Sequence, residues 1–258
     1  MGERTSYTPG TFCWADLTTR DQETAKAFYS ALFGWESEDI PIGDNVHYSV
    51  QRLDGLEVAA IAPQPQAQRD AGAPPAWNSY VAVERADAAV DRARELGANV
   101  HAGVMDVFDA GRMGVVQDPQ GAYFAVWEAR ARLGARLVNQ PGALTWNELY
   151  SPDLEASGRF YGGLFGWTTR PMEGNPMPYQ TIQNAAGHGN GGMTTMPGVP
   201  PMWLVYFGTE DMERSLAQMT ELGGTTMSGP LDIGVGTIAV AADPQGARFA
   251  LFAGHMED

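Results

Sequence analysis

The strongest constraint on this chain is an internal repeat in its own sequence. The segment FYSALFGW at residues 28–35 returns as FYGGLFGW at residues 160–167, an offset of 132 residues. Two further matches keep the same order along the chain: PAWNSY at 75–80 with PMWLVY at 201–206, and DPQGA at 118–122 with DPQGA at 243–247. Because three landmarks recur in one order with nearly constant spacing, the chain is predicted to be a tandem duplication.

The sequence pattern of each copy predicts two similar units, each made of a helix and several strands. In the first copy, helical patterns of apolar residues end at Gly34 and again at Gly97, and short strand patterns follow each of them. The Asp-Pro-Gln-Gly segments are typical of a type I turn that joins two antiparallel strands. The sequence therefore predicts an α+β fold of four βαβββ modules, two in each domain.

The repeat also predicts the domain boundaries. A length of 258 residues suits two domains of ordinary size. We predict a flexible N-terminal arm at residues 1–9, a first domain at 10–130, a linker at 131–142 and a second domain at 143–258. A duplicated domain can imitate the two-fold dimer of a single-domain protein, so the predicted assembly is a monomer with internal pseudo-two-fold symmetry or a homodimer.

Charge and composition exclude several classes of partner. The formal net charge of −15 argues against nucleic acid, which requires a basic surface. No apolar run approaches the length that crosses a membrane, so no membrane partner is predicted. A single cysteine, Cys13, allows no internal disulfide and favours a cytoplasmic location. The remaining expectation is a small-molecule ligand.

The repeated motifs resemble those of the vicinal oxygen chelate superfamily. The features that carry the resemblance are FY-x3-LFGW at a helix end, a helix closed by Leu96-Gly97-Ala98, and a DPxG turn before the last strand of each copy. This superfamily contains glyoxalases, extradiol dioxygenases and bleomycin-resistance-type binding proteins. The chain is most similar to tandem, glyoxalase-like actinobacterial proteins often labelled "hydroxylase". The resemblance implies two open, cup-shaped half-barrels whose interiors bind the ligand.

The resemblance also implies where a metal would be bound. Metal-dependent members place His or Glu at about four strand positions around one divalent ion. Counted from the shared motifs, these positions are Trp14 and Trp146, Ala59 or Ala60 and Met193 or Thr194, Asn78 and Leu204, and Ala125 and Ala250. Neither copy offers a convincing ligand set. We therefore predict no metal and no other cofactor.

Tryptophan occupies the position of the first metal ligand in both copies, as Trp14 and as Trp146. By strand alternation Trp14 shares a face with Asp16, and Trp146 shares a face with Glu148. An indole and a carboxylate in one cavity suit a flat ligand with a polar or cationic group. The predicted ligand-binding set is Trp14, Asp16, Trp77, Trp146, Glu148, Trp203 and Met193. For these aromatic residues a purely structural role in the core is the competing interpretation.

The histidines add one candidate. His188 belongs to the glycine-rich run at 187–192 and is predicted to lie on a loop over the second cup. Asp16, Glu148 and His188 are the candidate acids or bases if the protein is an enzyme. A structurally bonded or exposed histidine is the alternative interpretation.

Three functions are compatible with these features. The first is metal-free binding of a planar or apolar metabolite, in resistance by sequestration or in secondary metabolism. The second is a metal-free enzyme of natural-product biosynthesis, hydroxylase-like or isomerase-like. The third is a metal-dependent lyase or dioxygenase, which would require several of the counted strand positions to be displaced together.

Overall fold

A computed structural model of the chain describes residues 2–174 and 177–256. It contains two eight-stranded sheets, each formed by one half of the chain. The strand order is β2-β3-β4-β1-β5-β8-β7-β6 in the first sheet and β10-β11-β12-β9-β13-β16-β15-β14 in the second, with the elements bounded as given below. The two orders are identical once the numbering is shifted, which confirms the tandem α+β fold of four βαβββ modules.

The first domain is built from eight strands and three helices. In chain order they are β1 (Phe12–Thr19), α1 (Gln22–Phe33), β2 (Glu36–Gly43), β3 (Val46–Leu53), β4 (Leu56–Pro63), α2 (Gln66–Asp70), β5 (Ala76–Ala82), α3 (Ala86–Glu95), β6 (Asn99–Val107), β7 (Gly111–Gln117) and β8 (Tyr123–Ala129). The two modules meet where β1 pairs with β5 in antiparallel fashion.

The second domain repeats this arrangement with two helices. Its elements are β9 (Leu144–Tyr150), α4 (Leu154–Phe165), β10 (Thr168–Pro171), β11 (Tyr179–Gln183), β12 (Gly189–Thr194), β13 (Met202–Gly208), α5 (Met212–Glu221), β14 (Thr225–Asp232), β15 (Gly236–Ala242) and β16 (Arg248–Gly254). Among the described residues, no helix is both long and apolar enough to span a bilayer.

The helix ends of the repeated motif follow from local chemistry. Asp21 and Asp153 cap α1 and α4, and each carboxylate accepts a hydrogen bond from the backbone N–H three residues later. Gly34 and Gly166 end the same helices in the left-handed conformation, with φ of 74° and 71°. This conformation is strained for any residue with a Cβ, so the glycine of each FGW segment is a helix stop.

The convex faces of the two sheets form cores that both domains share. One buried cluster joins α1 and its strands to Val205, Phe207 and Phe249 of the second domain. The other joins Val81 and Phe124 of the first domain to helix α4 and its neighbours. Each module therefore completes its core with a module of the other domain, and the two halves form one packing unit.

Two of the repeated motifs meet across this shared core. The Tyr29 hydroxyl donates to Asp243 at 3.2 Å, and the Tyr161 hydroxyl donates to Asp118 at 2.8 Å. Each tyrosine belongs to an FY segment of one domain, and each aspartate belongs to the DPQG turn of the other. These symmetric bonds explain why both motifs survive in both copies.

The prediction that Trp77 and Trp203 line the cups is wrong. Trp77 is paired with Leu17, a core residue on the convex side, and its indole N–H donates to Tyr29 at 2.9 Å. Trp203 makes the equivalent bond to Tyr161 at 2.8 Å. Both side chains are buried between the domains, where their N–H groups find buried acceptors.

The N-terminal arm differs from the prediction as well. The Arg4 N–H donates to the Arg136 carbonyl, and the Val138 N–H donates to the Gly2 carbonyl. The Tyr7 hydroxyl donates to the Ala135 carbonyl at 2.7 Å. The arm therefore lies hydrogen-bonded along the linker at 131–142 rather than extending freely. The linker is in turn bonded to the first sheet, because the N–H groups of Ala135 and Arg136 donate to the carbonyls of Cys13 in β1 and Glu57 in β4.

Candidate functional site

The concave face of each sheet has one carboxylate near its centre. In the first domain Trp14 and Asp16 alternate along β1, and Asn78 and Tyr80 stand beside them on β5. In the second domain Trp146 and Glu148 occupy the same places on β9. Aromatic and aliphatic side chains fill the surroundings, so that Asp16 is 5% and Glu148 7% exposed.

Asp16 is held by three neutral donors. The hydroxyls of Tyr80 and Tyr48 donate to one carboxylate oxygen at 2.7 and 3.2 Å, and the Asn78 amide donates to the other at 2.8 Å. Burial raises the pKa of Asp16, because desolvation disfavours the charged form, while these hydrogen bonds oppose the rise. Burial likewise raises the pKa of both tyrosines well above the usual value, so they remain neutral donors.

Glu148 is surrounded by an analogous set of side chains, here all tyrosines, and each such set is called the shell of its carboxylate. The Tyr206 hydroxyl donates to it at 3.0 Å, and the hydroxyls of Tyr179 and Tyr150 are the other donors that lower its pKa. Burial outweighs these bonds and raises the pKa of Glu148 from 4.5 to about 7. This carboxyl group therefore changes its charge near neutral pH, as groups at reactive sites often do.

A tryptophan supports one tyrosine of each shell. The indole N–H of Trp14 donates to the Tyr48 hydroxyl at 2.8 Å, and that of Trp146 donates to the Tyr179 hydroxyl at 3.2 Å. Since each of these hydroxyls accepts from an indole, its own proton is directed to the carboxylate. In the first copy the Tyr48 hydroxyl donates in turn to Asp16, and in the second copy Tyr179 lies near enough to Glu148 to lower the pKa of that carboxyl group.

Glycine makes room for Tyr179 in the second copy. Gly192 of β12 is the register partner of Glu148. A Cβ at Gly192 would lie 2.0 Å from the Tyr179 hydroxyl oxygen, so a side chain there would collide with this hydroxyl. Residues 189–192 of the glycine-rich run belong to β12, whereas Gly187 and His188 lie in the connection that precedes this strand.

The two shells differ at two positions. Asn78, which donates to Asp16, is replaced by Leu204 opposite Glu148. Tyr150 enters the second shell from the end of β9. On the first concave face, Tyr7 of the N-terminal arm packs against a cluster that contains Tyr80 and Trp127. On the second face, Met196 and Val199 pack against the corresponding cluster, which contains Tyr150 and Tyr206.

The remaining predicted site residues lie apart from these shells. Met193 is fully buried in the convex core, where it pairs with Leu149, so its placement in the cup is wrong. His188 is exposed in the turn between β11 and β12, where its backbone N–H donates to the Asn184 side chain. No contact found among the described residues joins its imidazole to Glu148. Trp14, Asp16, Trp146 and Glu148 do come together as pairs.

Sequence reasoning missed the tyrosines. The five that surround the carboxylates are Tyr48, Tyr80, Tyr150, Tyr179 and Tyr206. Tyr80 and Tyr206 were visible as repeat landmarks, and each lies two residues after the position that faces the carboxylate, hence on the same face of the strand. That alternation was the available signal for these two residues.

The side chains of the concave faces do not suit a metal ion. Among residues 2–174 and 177–256, no three His, Cys, Asp or Glu side chains lie close enough together to hold one. The register partners of Asp16 are Ala60 and Asn78, and those of Glu148 are Gly192 and Leu204. The carboxylate near the centre of each face, Asp16 or Glu148, is already bonded to phenol donors. A divalent ion in this fold would need several further anionic or imidazole ligands.

An apolar cavity of about 360 Å³ lies beside the second shell. Most of its lining residues are apolar. They are Leu154, Pro171, Met172, Met177, Pro178, Tyr179 and Gln180. Methionine adapts its shape to irregular apolar partners. Tyr179 is the residue that this cavity shares with the surroundings of Glu148.

Comparison with known families supports the relation suggested by the motifs. A family model described as "Glyoxalase/Bleomycin resistance protein/Dioxygenase superfamily" matches residues 11–126. A second model, described as "Glyoxalase-like domain", matches residues 143–252. The two matches together span both sheets.

Proteins similar to this chain include one from Mycobacterium and one from Streptomyces. The protein named "Putative glyoxylase CFP32" in Mycobacterium bovis is 41% identical over 255 residues, covering 97% of each chain. The anthracycline biosynthesis protein DauV of Streptomyces sp. strain C5 is 32% identical over 259 residues, covering 96% of this chain and 94% of its own. Among solved structures, the Mn(II)-bound glyoxalase from Novosphingobium aromaticivorans matches with a TM-score of 0.67 at 17% identity, covering 96% of this chain and 83% of that chain. This last likeness concerns the fold alone.

Proposed function

We propose, from the premise that this chain belongs to the glyoxalase/bleomycin resistance protein/dioxygenase superfamily, that it binds a flat aromatic metabolite without a metal ion. The binding surface is the concave face of the second domain, around Trp146, Tyr179 and Glu148. One observation carries the proposal: near the centre of the second concave face a buried carboxylate is surrounded by tyrosine side chains, one of which accepts a hydrogen bond from the partly exposed indole of Trp146.

The shape and polarity of this face favour an aromatic ligand. Trp146 and Tyr179 are only partly buried, whereas Tyr206 and Tyr150 beneath them are buried. A planar ring system can stack on the partly exposed pair while a hydroxyl or carbonyl of the ligand reaches the hydrogen-bonding groups below. The net charge of −15 favours a neutral or cationic ligand over an anionic one.

The names of the relatives support a role in secondary metabolism. DauV is named for anthracycline biosynthesis. Anthracyclines are fused-ring aromatic compounds, a class that suits a surface of indole and phenol rings. Storage or sequestration of such a metabolite, or its presentation during biosynthesis, is the physiological role that we assign to this binding.

Titration with 2,6-dihydroxyanthraquinone tests the proposal. This planar compound has no adjacent hydroxyl or carbonyl pair that could chelate an adventitious metal. We expect saturable quenching of tryptophan fluorescence in protein treated with a chelator. Trp146→Phe is expected to weaken binding about tenfold, because it removes an indole face and an N–H donor worth about 1–2 kcal/mol.

The matched control is the same change in the first copy, Trp14→Phe. Tyr7 covers the concave cluster that Trp14 contacts, so this variant is expected to bind the anthraquinone as the wild type does. Equal loss in both variants would move the site away from the second domain. Binding that survives Trp146→Phe unchanged, or no binding at all, would contradict the proposal.

A further inference from the structure

A second cavity, of about 460 Å³, lies in the first domain where the linker meets two strand connections. Its walls come from the β3–β4 hairpin, from the connection between β6 and β7, and from the linker at 131–142. The lining residues are Arg52, Gly55, Leu56, Glu57, Asp109, Ala131, Arg132 and Arg136. Three of these side chains are cationic and two are anionic, so the lining is positive within a chain whose net charge is −15.

The linker arginines are fixed beside this cavity by Glu57. The backbone carbonyl of Glu57 accepts from the Arg136 N–H at 2.7 Å, and its side chain accepts from the Arg132 guanidinium. The backbone N–H of Arg132 also donates to the Ala110 carbonyl, at 3.0 Å. The linker is therefore bonded to two walls of the cavity before any ligand binds, which lowers the entropy cost of binding.

The three arginines differ in how many of their donors the protein uses. All three guanidinium nitrogens of Arg52 donate to neighbouring oxygen atoms. Arg132 uses one nitrogen, and Arg136 uses only its Nε, which donates to the Arg4 carbonyl at 3.0 Å. In the part of the chain that the structure describes, the other guanidinium nitrogens of Arg132 and Arg136 have no hydrogen-bond partner. Two guanidinium groups on one cavity thus keep N–H donors for a ligand.

These donors, together with the two carboxylates of the lining, favour a phosphate ester. Arginine presents its N–H groups in a planar fork that pairs with two oxygens of one phosphate group. Glu57 and Asp109 accept hydrogen bonds from hydroxyl groups and repel further negative charge. The volume of about 460 Å³ lies within the range of roughly 300–1,000 Å³ that is usual for small-molecule sites, so the cavity holds more than a phosphate ion.

We propose that this cavity binds a small phosphate monoester that carries hydroxyl groups, such as a sugar phosphate. Arg132 and Arg136 bind the phosphate group, and the hydroxyl groups of the ester face Glu57 and Asp109. The site belongs to the first domain and the linker, so the inference goes beyond the proposed function and does not depend on it. It also gives the linker a role besides the connection of the two domains.

Isothermal titration calorimetry with glucose 6-phosphate and with glycerol 3-phosphate tests the inference, in a buffer without phosphate or sulfate. We expect saturable binding of at least one ester at one site per chain. Arg136→Gln is expected to weaken this binding about tenfold or more, because a hydrogen bond between charged groups is lost. Arg132→Gln should weaken it to a similar degree, and Arg52 still pairs with Glu57 in that variant.

Arg159→Gln is the matched control. It removes the same charge from the exposed side of α4, where Arg159 pairs with Glu155, and should bind the ester as the wild type does. Glucose without a phosphate group should not bind. The inference fails if neither ester binds at millimolar concentrations, if malonate or glucose binds as tightly as the esters, or if Arg136→Gln and Arg132→Gln bind as the wild type does. Anthraquinone binding should be unchanged in Arg136→Gln, so the two sites are tested separately.

Discussion

Replacement of Phe207 by alanine is expected to lower the free energy of unfolding by about 3–5 kcal/mol, as loss of a buried phenylalanine does elsewhere. Phe207 belongs to the second domain, but its ring packs against Trp77, Phe33 and Trp35 of the first, with centroid distances of 4.9, 5.2 and 5.4 Å. Its removal leaves a cavity among rigid rings that cannot collapse easily. Urea unfolding followed by circular dichroism measures the loss.

The same experiment tests whether the two domains unfold together. Because each core cluster contains residues of both halves, we expect a single transition in which fluorescence and circular dichroism coincide. Phe108→Ala is the control: that ring is 66% exposed, so its removal should change stability by no more than about 0.5 kcal/mol. Two separate transitions, or an equally small effect of Phe207→Ala, would contradict the shared core.

The second large effect concerns pH. The pKa of Glu148 is raised from 4.5 in the unfolded chain to about 7 in the folded protein, so the folded state binds the proton more tightly. The resulting stabilisation is fully present below pH 4.5 and is lost as the pH rises through about 7. A shift of this size corresponds to about 3 kcal/mol in all, of which about 2 kcal/mol is lost between pH 5.5 and 8.5.

Glu148→Gln should remove this part of the pH dependence. The amide is neutral at every pH, so from pH 5.5 to 8.5 the variant is expected to lose about 2 kcal/mol less stability than the wild type. Asp16, Asp118 and Asp243 also have a raised pKa, and their contribution remains in both proteins. Urea unfolding at several pH values makes the comparison, with Glu155→Gln expected to follow the wild type. Parallel curves for wild type and Glu148→Gln would mean that Glu148 is ionised in the folded protein throughout this range.

The repeat was enough to predict the architecture. Spacing between identical segments predicted four modules, and alternation along β1 and β9 correctly placed Trp14 with Asp16 and Trp146 with Glu148 on one face. The same alternation could have corrected one error. Trp77 and Tyr80 are three residues apart on one strand and so face opposite sides, which assigns the tryptophan to the core once the tyrosine is assigned to the cup.

Other features could not be read from the sequence. Tyr48 and Tyr179 reach the carboxylates from strands that pair with neither β1 nor β9 directly, and the sequence pattern does not specify that register. The bond between Tyr29 and Asp243 joins residues 214 positions apart across two convex faces. Such contacts depend on how preformed sheets pack, which the order of residues along one strand does not reveal.

The hydrogen bonds between the FY and DPQG motifs hold the two domains together. Each FY tyrosine is buried and needs an acceptor, and each DPQG aspartate, Asp118 or Asp243, supplies one from the opposite domain. The scaffold is therefore maintained by symmetric contacts. The concave faces are free to differ, as they do at Asn78 and Leu204.

The metal content of the purified protein tests the central claim most directly. The carboxylate near the centre of each concave face is bonded to tyrosine hydroxyls, and within residues 2–174 and 177–256 no three possible ligands lie close enough together to hold a divalent ion. Elemental analysis by mass spectrometry, on protein prepared without chelators and dialysed against metal-free buffer, should find Mn, Fe, Co, Ni and Zn far below one ion per chain. The anthraquinone should bind equally well before and after treatment with a chelator. One tightly bound divalent ion per chain, lost in Glu148→Gln together with ligand binding, would contradict the account.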